Sequence, residues 1–167
     1  MRGAAVVLVL ALGASSADGQ SVKPGAPAPT IDLPALGGGR VELSKLRGHP
    51  VVMSFWGTWC LPCRQEFPEL VRLHTSYADS GLRVLGINGR DQELSTKAVQ
   101  RFVNEFAVPF PIALDQRGRA RIAFRLVGLP TTIFIDSAGI VQQIHRGAIS
   151  REELNRGVSL IFPPHSR

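Results

Sequence analysis

The sequence predicts an α/β fold: a central mixed β-sheet flanked by helices, with an N-terminal β-hairpin extension. Three observations predict it. Short apolar runs alternate with segments whose apolar residues recur every three or four positions. That alternation builds a partly parallel sheet with helices on both faces. A strand–turn–strand pattern near the C-terminal end adds an antiparallel edge. The chain has 167 residues, 44% of them hydrophobic, enough for one domain with a core of its own.

Each element has its own warrant. Residues 18–29 form an extended lead-in, rich in Pro and Gly from Lys23 to Pro29, because proline supplies no ladder donor. The domain proper is expected over 30–167. Thr30 to Leu33 and Arg40 to Leu43 flank Gly37-Gly38-Gly39 and read as two short strands around a turn. Ser44 is placed to cap a helical turn before Gly48. Val51 to Trp56 is an apolar run, a buried central strand. From Leu61 the period becomes helical through Phe67, Leu70, Val71, Leu73, His74 and Tyr77, with Gly81 expected to end the helix. Leu82 to Ile87 is a second buried strand, and Ser95 to Phe106 a second helix. Ile112 to Leu114 reads as a strand and Arg119 to Phe124 as a short helix. Thr131 to Ile135 and Ile140 to His145 are strands around Asp136-Ser137-Ala138-Gly139. Arg151 to Ile161 closes the chain as a helix, capped by Ser150 with Glu153 at the third position.

Composition excludes several classes. The hydrophobic fraction rules out wholesale disorder. No stretch approaches the roughly 18 apolar residues of a spanning helix, which rules out a polytopic membrane protein. Two cysteines rule out a disulfide-dense scaffold and a four-cysteine zinc site. The net charge of +6 comes from scattered arginines, the densest group being Arg117, Arg119, Arg121 and Arg125. No aromatic residues interleave them and no basic arm is present, so the expectation is a solvated basic face and no nucleic-acid partner.

The N-terminus has the pattern of an export signal. Arg2 is followed by an apolar stretch from Gly3 to Ala14 and by Ser15-Ser16-Ala17. A signal peptide over 1–17, cleaved after Ala17, fits this order; an uncleaved membrane anchor is the alternative. Export would place the two cysteines in an oxidising compartment, the bacterial periplasm or extracytoplasmic face.

The informative motif is Trp59-Cys60-Leu61-Pro62-Cys63, where a buried strand hands over to a helix. Two thiols at this spacing can close a small disulfide. Cys60 falls at or near the helix N-cap, where unpaired backbone N–H groups and the helix dipole favour an anion. That lowers its thiol pKa and makes it the expected nucleophile. Cys63 lies a turn inward and would resolve a mixed disulfide. Pro62 suits the first helical turn. The alternatives at this point are a static disulfide, a metal-binding pair, and a Cu(I) chaperone, since soft thiolates suit Cu(I). The four histidines, His49, His74, His145 and His165, have no ligand-like spacing; His74 reads as a packed helix residue and the others as surface residues.

The segment Val51 to Cys63 (VVMSFWGTWCLPC) resembles the active-site strand and helix start of the thioredoxin superfamily. Val41 to Gly48 (VELSKLRG), Cys63 to Pro68 (CRQEFP) and Gly128 to Asp136 (GLPTTIFID) are similar to its exported TlpA/ResA/CcmG-type branch. The likeness runs over roughly residues 24 to 161. It implies a thioredoxin-like fold and a thiol–disulfide oxidoreductase with a Cys60–Cys63 disulfide and no further cofactor or metal. It implies that Pro130 is cis and faces the cysteines, with the Leu129 backbone pairing an extended substrate segment. Trp59, Leu61 and Pro62 complete the expected substrate-binding surface. Glu66 matches the branch's active-site glutamate. Three residues after Cys63 and on the same helix face, it could move the thiol's proton and raise its pKa; a solvated helix glutamate is the alternative.

Two positions depart from the pattern. Ser54 stands where thioredoxins carry a buried acid, which leaves the proton task to Glu66 or water. Leu61 replaces an acidic residue found between the cysteines in some reductive members. The resemblance further implies a monomeric reductant of disulfides in exported proteins, apocytochrome c among them, recharged by a membrane electron donor of the DsbD or CcdA type. An oxidant would use the same residues in reverse. A peroxidase would need proline and threonine seven and three residues before the reactive cysteine, where this chain has Met53 and Gly57.

Overall fold

The structure, a computed structural model, describes residues 22–162. The expected signal peptide with its cleavage point, the start of the lead-in and His165 lie outside the described residues.

Among the described residues, seven strands and four α-helices follow in chain order. They are β1 (Asp32–Pro34), β2 (Arg40–Glu42), β3 (Val51–Trp56), α1 (Leu61–Ser76), β4 (Arg83–Asn88), α2 (Thr96–Glu105), β5 (Ile112–Leu114), α3 (Arg119–Ala123), β6 (Thr131–Ile135), β7 (Val141–Arg146) and α4 (Arg151–Ile161). The central sheet has the order β5-β4-β3-β6-β7. β3, β4 and β5 run parallel, and β6 and β7 are antiparallel to their neighbours. β1 and β2 form the separate hairpin.

Alternation along β3 divides the core. Val52 and Trp56 face the side covered by α1, α2 and α4, where Cys63, Phe67, Leu70, Val99, Phe102, Leu154 and Val158 are buried. Val51, Met53 and Phe55 face the side closed by the hairpin and α3, through Leu33, Leu43, Ala120 and Phe124. Under α1 the rings of Trp56, Phe67 and Phe102 meet with centroids 4.5–4.7 Å apart. Each such pair adds roughly 0.5–1.5 kcal/mol to the burial of its area, which anchors the helix carrying the cysteines against the strand that precedes them.

The N-terminal extension closes both sheet edges. Gly25 N and Ala28 N donate to Val141 O and Gly139 O beside β7. Leu36 N donates to Ile112 O on β5. Both outer strands would otherwise present open ladders.

Two expectations about local structure are corrected. The helical turn after β2 spans Leu43–Leu46 with Glu42, not Ser44, at its N-cap, and no side chain caps it. Burial of Leu43 in the core pulls the turn two residues forward. Helix α1 ends at Ser76, before Gly81. Thr75 Oγ1 donates to Val71 O and Ser80 Oγ to Tyr77 O, and such side-chain bonds compete with the helical ladder. Gly81, at φ +90°, turns the chain into β4. His49 is half-buried rather than a surface residue, with Nδ1 3.1 Å from Gly81 O.

Candidate active site

The site lies where β3 ends. Gly57 leaves the strand, and a Cβ there would stand 2.9 Å from Trp59 Nε1, because the indole folds back over it. Cys60 is the N-cap of α1, with its backbone N–H donating to Gly57 O at 3.2 Å. Pro62 occupies the first turn, where its missing donor is no loss.

Cys60 and Cys63 are joined in a disulfide with Cα atoms 5.2 Å apart. Cys63 N–H donates to Cys60 Sγ at 3.2 Å, so the N-cap sulfur takes the hydrogen bond that a Ser or Asp oxygen takes in other helices. Cys60 is 4% exposed and Cys63 fully buried. Around them Trp59 is 57% and Leu61 66% exposed.

The Leu129–Pro130 peptide bond is cis. In the antiparallel pairing, Phe55 of β3 stands opposite Thr131 of β6. The next step along both strands brings Trp56 and Pro130 to the same sheet end, so the Leu129–Pro130 segment and the cysteine loop converge there. Pro130 is buried, Leu129 half-buried, and Val127 just before them exposed. Gly147 N–H donates to Pro130 O at 2.9 Å and fixes the segment from the β7 side.

Glu66 is not solvated. One turn beyond Cys63 on α1, it is 2% exposed. Its Oε1 accepts from Ser54 Oγ at 3.0 Å and its Oε2 from Ile149 N at 3.1 Å. Burial pushes its carboxyl up to about 7, against the opposing pull of these two donors.

The structure thus gathers Cys60, Cys63, Trp59, Leu61, Pro62, Leu129 and Pro130 at one end of the sheet, with Glu66 beneath. Reading the sequence did not find Ile149, 83 positions from Glu66. It also missed Glu93, buried below the cysteine loop with Thr58 and Asn88 as partners. Neither carries a local pattern; one acidic residue in a loop has no periodicity to betray it.

The AhpC/TSA family model matches residues 24–144. The chain belongs to the AhpC/TSA family. It is similar to the thiol-disulfide oxidoreductase ResA of Geobacillus kaustophilus, 36% identical over 143 residues that cover 86% of this chain and 80% of that protein. A solved putative thiol:disulfide interchange protein DsbE from Chlorobium tepidum superposes with a TM-score of 0.75 at 30% identity, covering 83% of this chain and 96% of that one. A secreted thiol-disulfide isomerase from Corynebacterium glutamicum superposes with a TM-score of 0.71 at 26% identity, covering 81% and 83%. With its closed Cys60–Cys63 pair at a helix start, this family member is a thiol–disulfide oxidoreductase of thioredoxin-like fold.

Proposed function

We propose that the protein is an exported reductant of protein disulfides. Cys60 attacks a substrate disulfide, a mixed disulfide forms, and Cys63 attacks Cys60 Sγ to release the reduced substrate and restore the internal disulfide. Two electrons and two protons pass from the dithiol to the substrate: one substrate thiolate leaves at each of the two steps, and each takes up one proton.

The observation that carries the exchange chemistry is Cys60 at the N-cap of α1, its Sγ already accepting Cys63 N–H, while the reducing direction rests on Glu66. An anion at that point is stabilised by the helix terminus. Glu66 favours the reducing direction. A buried carboxylate one turn from Cys63 and ionised above about pH 7 disfavours a second negative charge on the reduced pair. Glu66 in its neutral form can hand a proton to the Cys63 thiolate, and as carboxylate can take it back.

The exposed Trp59, Leu61 and Val127, with Pro62 and the Leu129–Pro130 backbone, form the surface for an extended, partly apolar polypeptide segment. The residue 1–17 leader directs export, and 30–167 is the working domain. The substrates are disulfide-containing exported proteins, apocytochrome c among them, and a membrane donor of the DsbD or CcdA type returns electrons to the pair.

The test is the equilibrium reduction potential of the Cys60–Cys63 pair in graded thiol/disulfide buffers, with free thiols counted by alkylation. A value near thioredoxin's, about −270 mV, is expected; one near DsbA's, about −120 mV, would make the protein an oxidant and overturn the reading. In the exporting cell, Cys63→Ser should accumulate covalent partners through Cys60, and Cys60→Ser should not.

A further inference from the structure

Glu93 is a buried carboxylate that the thiol chemistry above does not use. It follows the 3-10 turn at Arg90–Gln92 and is 9% exposed. Its side chain turns back beneath the cysteine loop. Oε1 accepts from Thr58 N at 2.6 Å and from Asn88 Nδ2 at 2.9 Å, and Oε2 accepts from Thr58 Oγ1 at 2.5 Å. Asn88, fully buried, is the last residue of β4 and stands opposite Trp56 in the parallel pairing. Gly89 N–H donates to Trp56 O at 3.0 Å. The loop leaving β3 is therefore tied to the end of β4 on both sides of Gly57.

Burying a carboxylate costs several kcal/mol unless donors surround it. A loop needing only stability would be served by an apolar residue. This one carries three donor contacts, two of them to Thr58, two residues before Cys60. While the disulfide is closed, the covalent bond to Cys63 itself holds Cys60. Once it opens, Cys60 depends on the loop, and Gly57 at its start offers no stiffness.

We propose that Glu93 is a positioning residue: its carboxylate pins Thr58, and so keeps the reduced Cys60 at the N-cap of α1 with its sulfur facing the Cys63 N–H. The proposal rests on the reading of Cys60 as the attacking thiol. Glu93 touches neither substrate nor sulfur. It acts through Thr58, by geometry rather than by charge.

Substitutions separate these two effects. In Glu93→Gln the amide Oε1 can accept from Thr58 N and Asn88 Nδ2 as before, and Nε2 can donate to Thr58 Oγ1, whose hydroxyl accepts equally well. All three contacts survive and only the charge is lost. Glu93→Ala loses all three.

The experiment follows iodoacetamide alkylation of Cys60 against pH in the full chain carrying Cys63→Ser, with folding checked by circular dichroism. Adding Glu93→Ala is expected to move the profile upward by about one pH unit and slow alkylation near neutral pH about tenfold, as the thiolate loses its place at the helix terminus. Adding Glu93→Gln is expected to stay within about twofold of the parent. Equal slowing by Gln and Ala would overturn the proposal in favour of charge, and a folded Ala variant matching the parent would overturn it outright. Should the Ala variant fail to fold, Thr58→Val decides, since it removes the Oγ1 contact alone. About threefold slowing supports the clamp and an unchanged profile rejects it. A parent whose Cys60 titrates like a free thiol, about 8.5, would instead sink the nucleophile reading itself.

Discussion

Ser54 Oγ donates to Glu66 Oε1 at 3.0 Å across the interface between β3 and α1. Both residues are buried. The carboxylate is carried by the helix and supported from the strand. Ile149 N–H, from the segment between β7 and α4, supplies the second donor. The carboxyl is thus held from three elements at once, with burial raising its pKa to about 7 and the two donors limiting the rise.

Ser54→Ala should therefore raise the Glu66 pKa further. A hydrogen bond to a charged group is worth roughly 1.5–3 kcal/mol, which corresponds to about one to two pKa units. Carboxyl-carbon NMR titration of Glu66 in the oxidised protein reads the shift directly. An unchanged or lowered midpoint would mean that the hydroxyl does not favour the ionised form.

The same carboxyl makes stability pH-dependent. Its folded pKa of about 7 lies above the ordinary value of 4.5. Between those values the native state holds a proton that the unfolded chain has lost, so stability falls as pH rises. The stabilising share is complete below about 4.5 and gone above about 7, amounting to roughly 3 kcal/mol. Urea unfolding of the oxidised protein across that window should show the decline, and Glu66→Gln should flatten it. A wild-type profile rising through the window would contradict the burial argument.

Much of the site was legible in the sequence because its signals are local. Cys60, Pro62 and Cys63 are read from a strand–helix junction. The cap of α4 follows from Ser150 and Glu153, which form the expected reciprocal capping box. The succession of strands and helices along the chain followed from the alternation of periods. The supports of the site were not legible, because they are tertiary. Nothing near Ile149 announces that its backbone N–H meets Glu66, and nothing near Glu93 announces Thr58. The end of α1 was misread for a related reason: Thr75 and Ser80 divert backbone bonding with their hydroxyls, an outcome that apolar periodicity does not encode.

Gly157 shows how packing reverses a local preference. It sits inside α4, where alanine would favour the helix by roughly 1 kcal/mol. A Cβ there would lie 2.3 Å from the ring of Phe134, which is fully buried in β6 and has no room to retreat. Overpacking of this kind costs about 1–3 kcal/mol. Gly157→Ala is expected to lower the urea midpoint despite its better propensity, by a net loss of about 1 kcal/mol. A raised midpoint would show that α4 can slide on the sheet.

Leu61 offers a handle on redox poise. It is the first residue of α1, beside Cys60 and 66% exposed, so an acid can enter without disturbing the core. Glu at that position would place a negative charge next to the thiolate and draw on the same positive helix terminus that stabilises it. Solvent screens the charge, so the effect should be modest: Leu61→Glu is expected to raise the Cys60 thiol pKa by about half a unit. Because the reduced pair loses thiolate stabilisation, its potential should move in the reducing direction by roughly 15 mV, since about 30 mV corresponds to 1.4 kcal/mol for a two-electron couple. Added salt should shrink the pKa change, as it would for any exposed charge pair. Alkylation profiles at low and high ionic strength, with potentials measured on the same preparations, check all three signs. A potential that moved the other way would show that the helix terminus does not govern the reactive thiol.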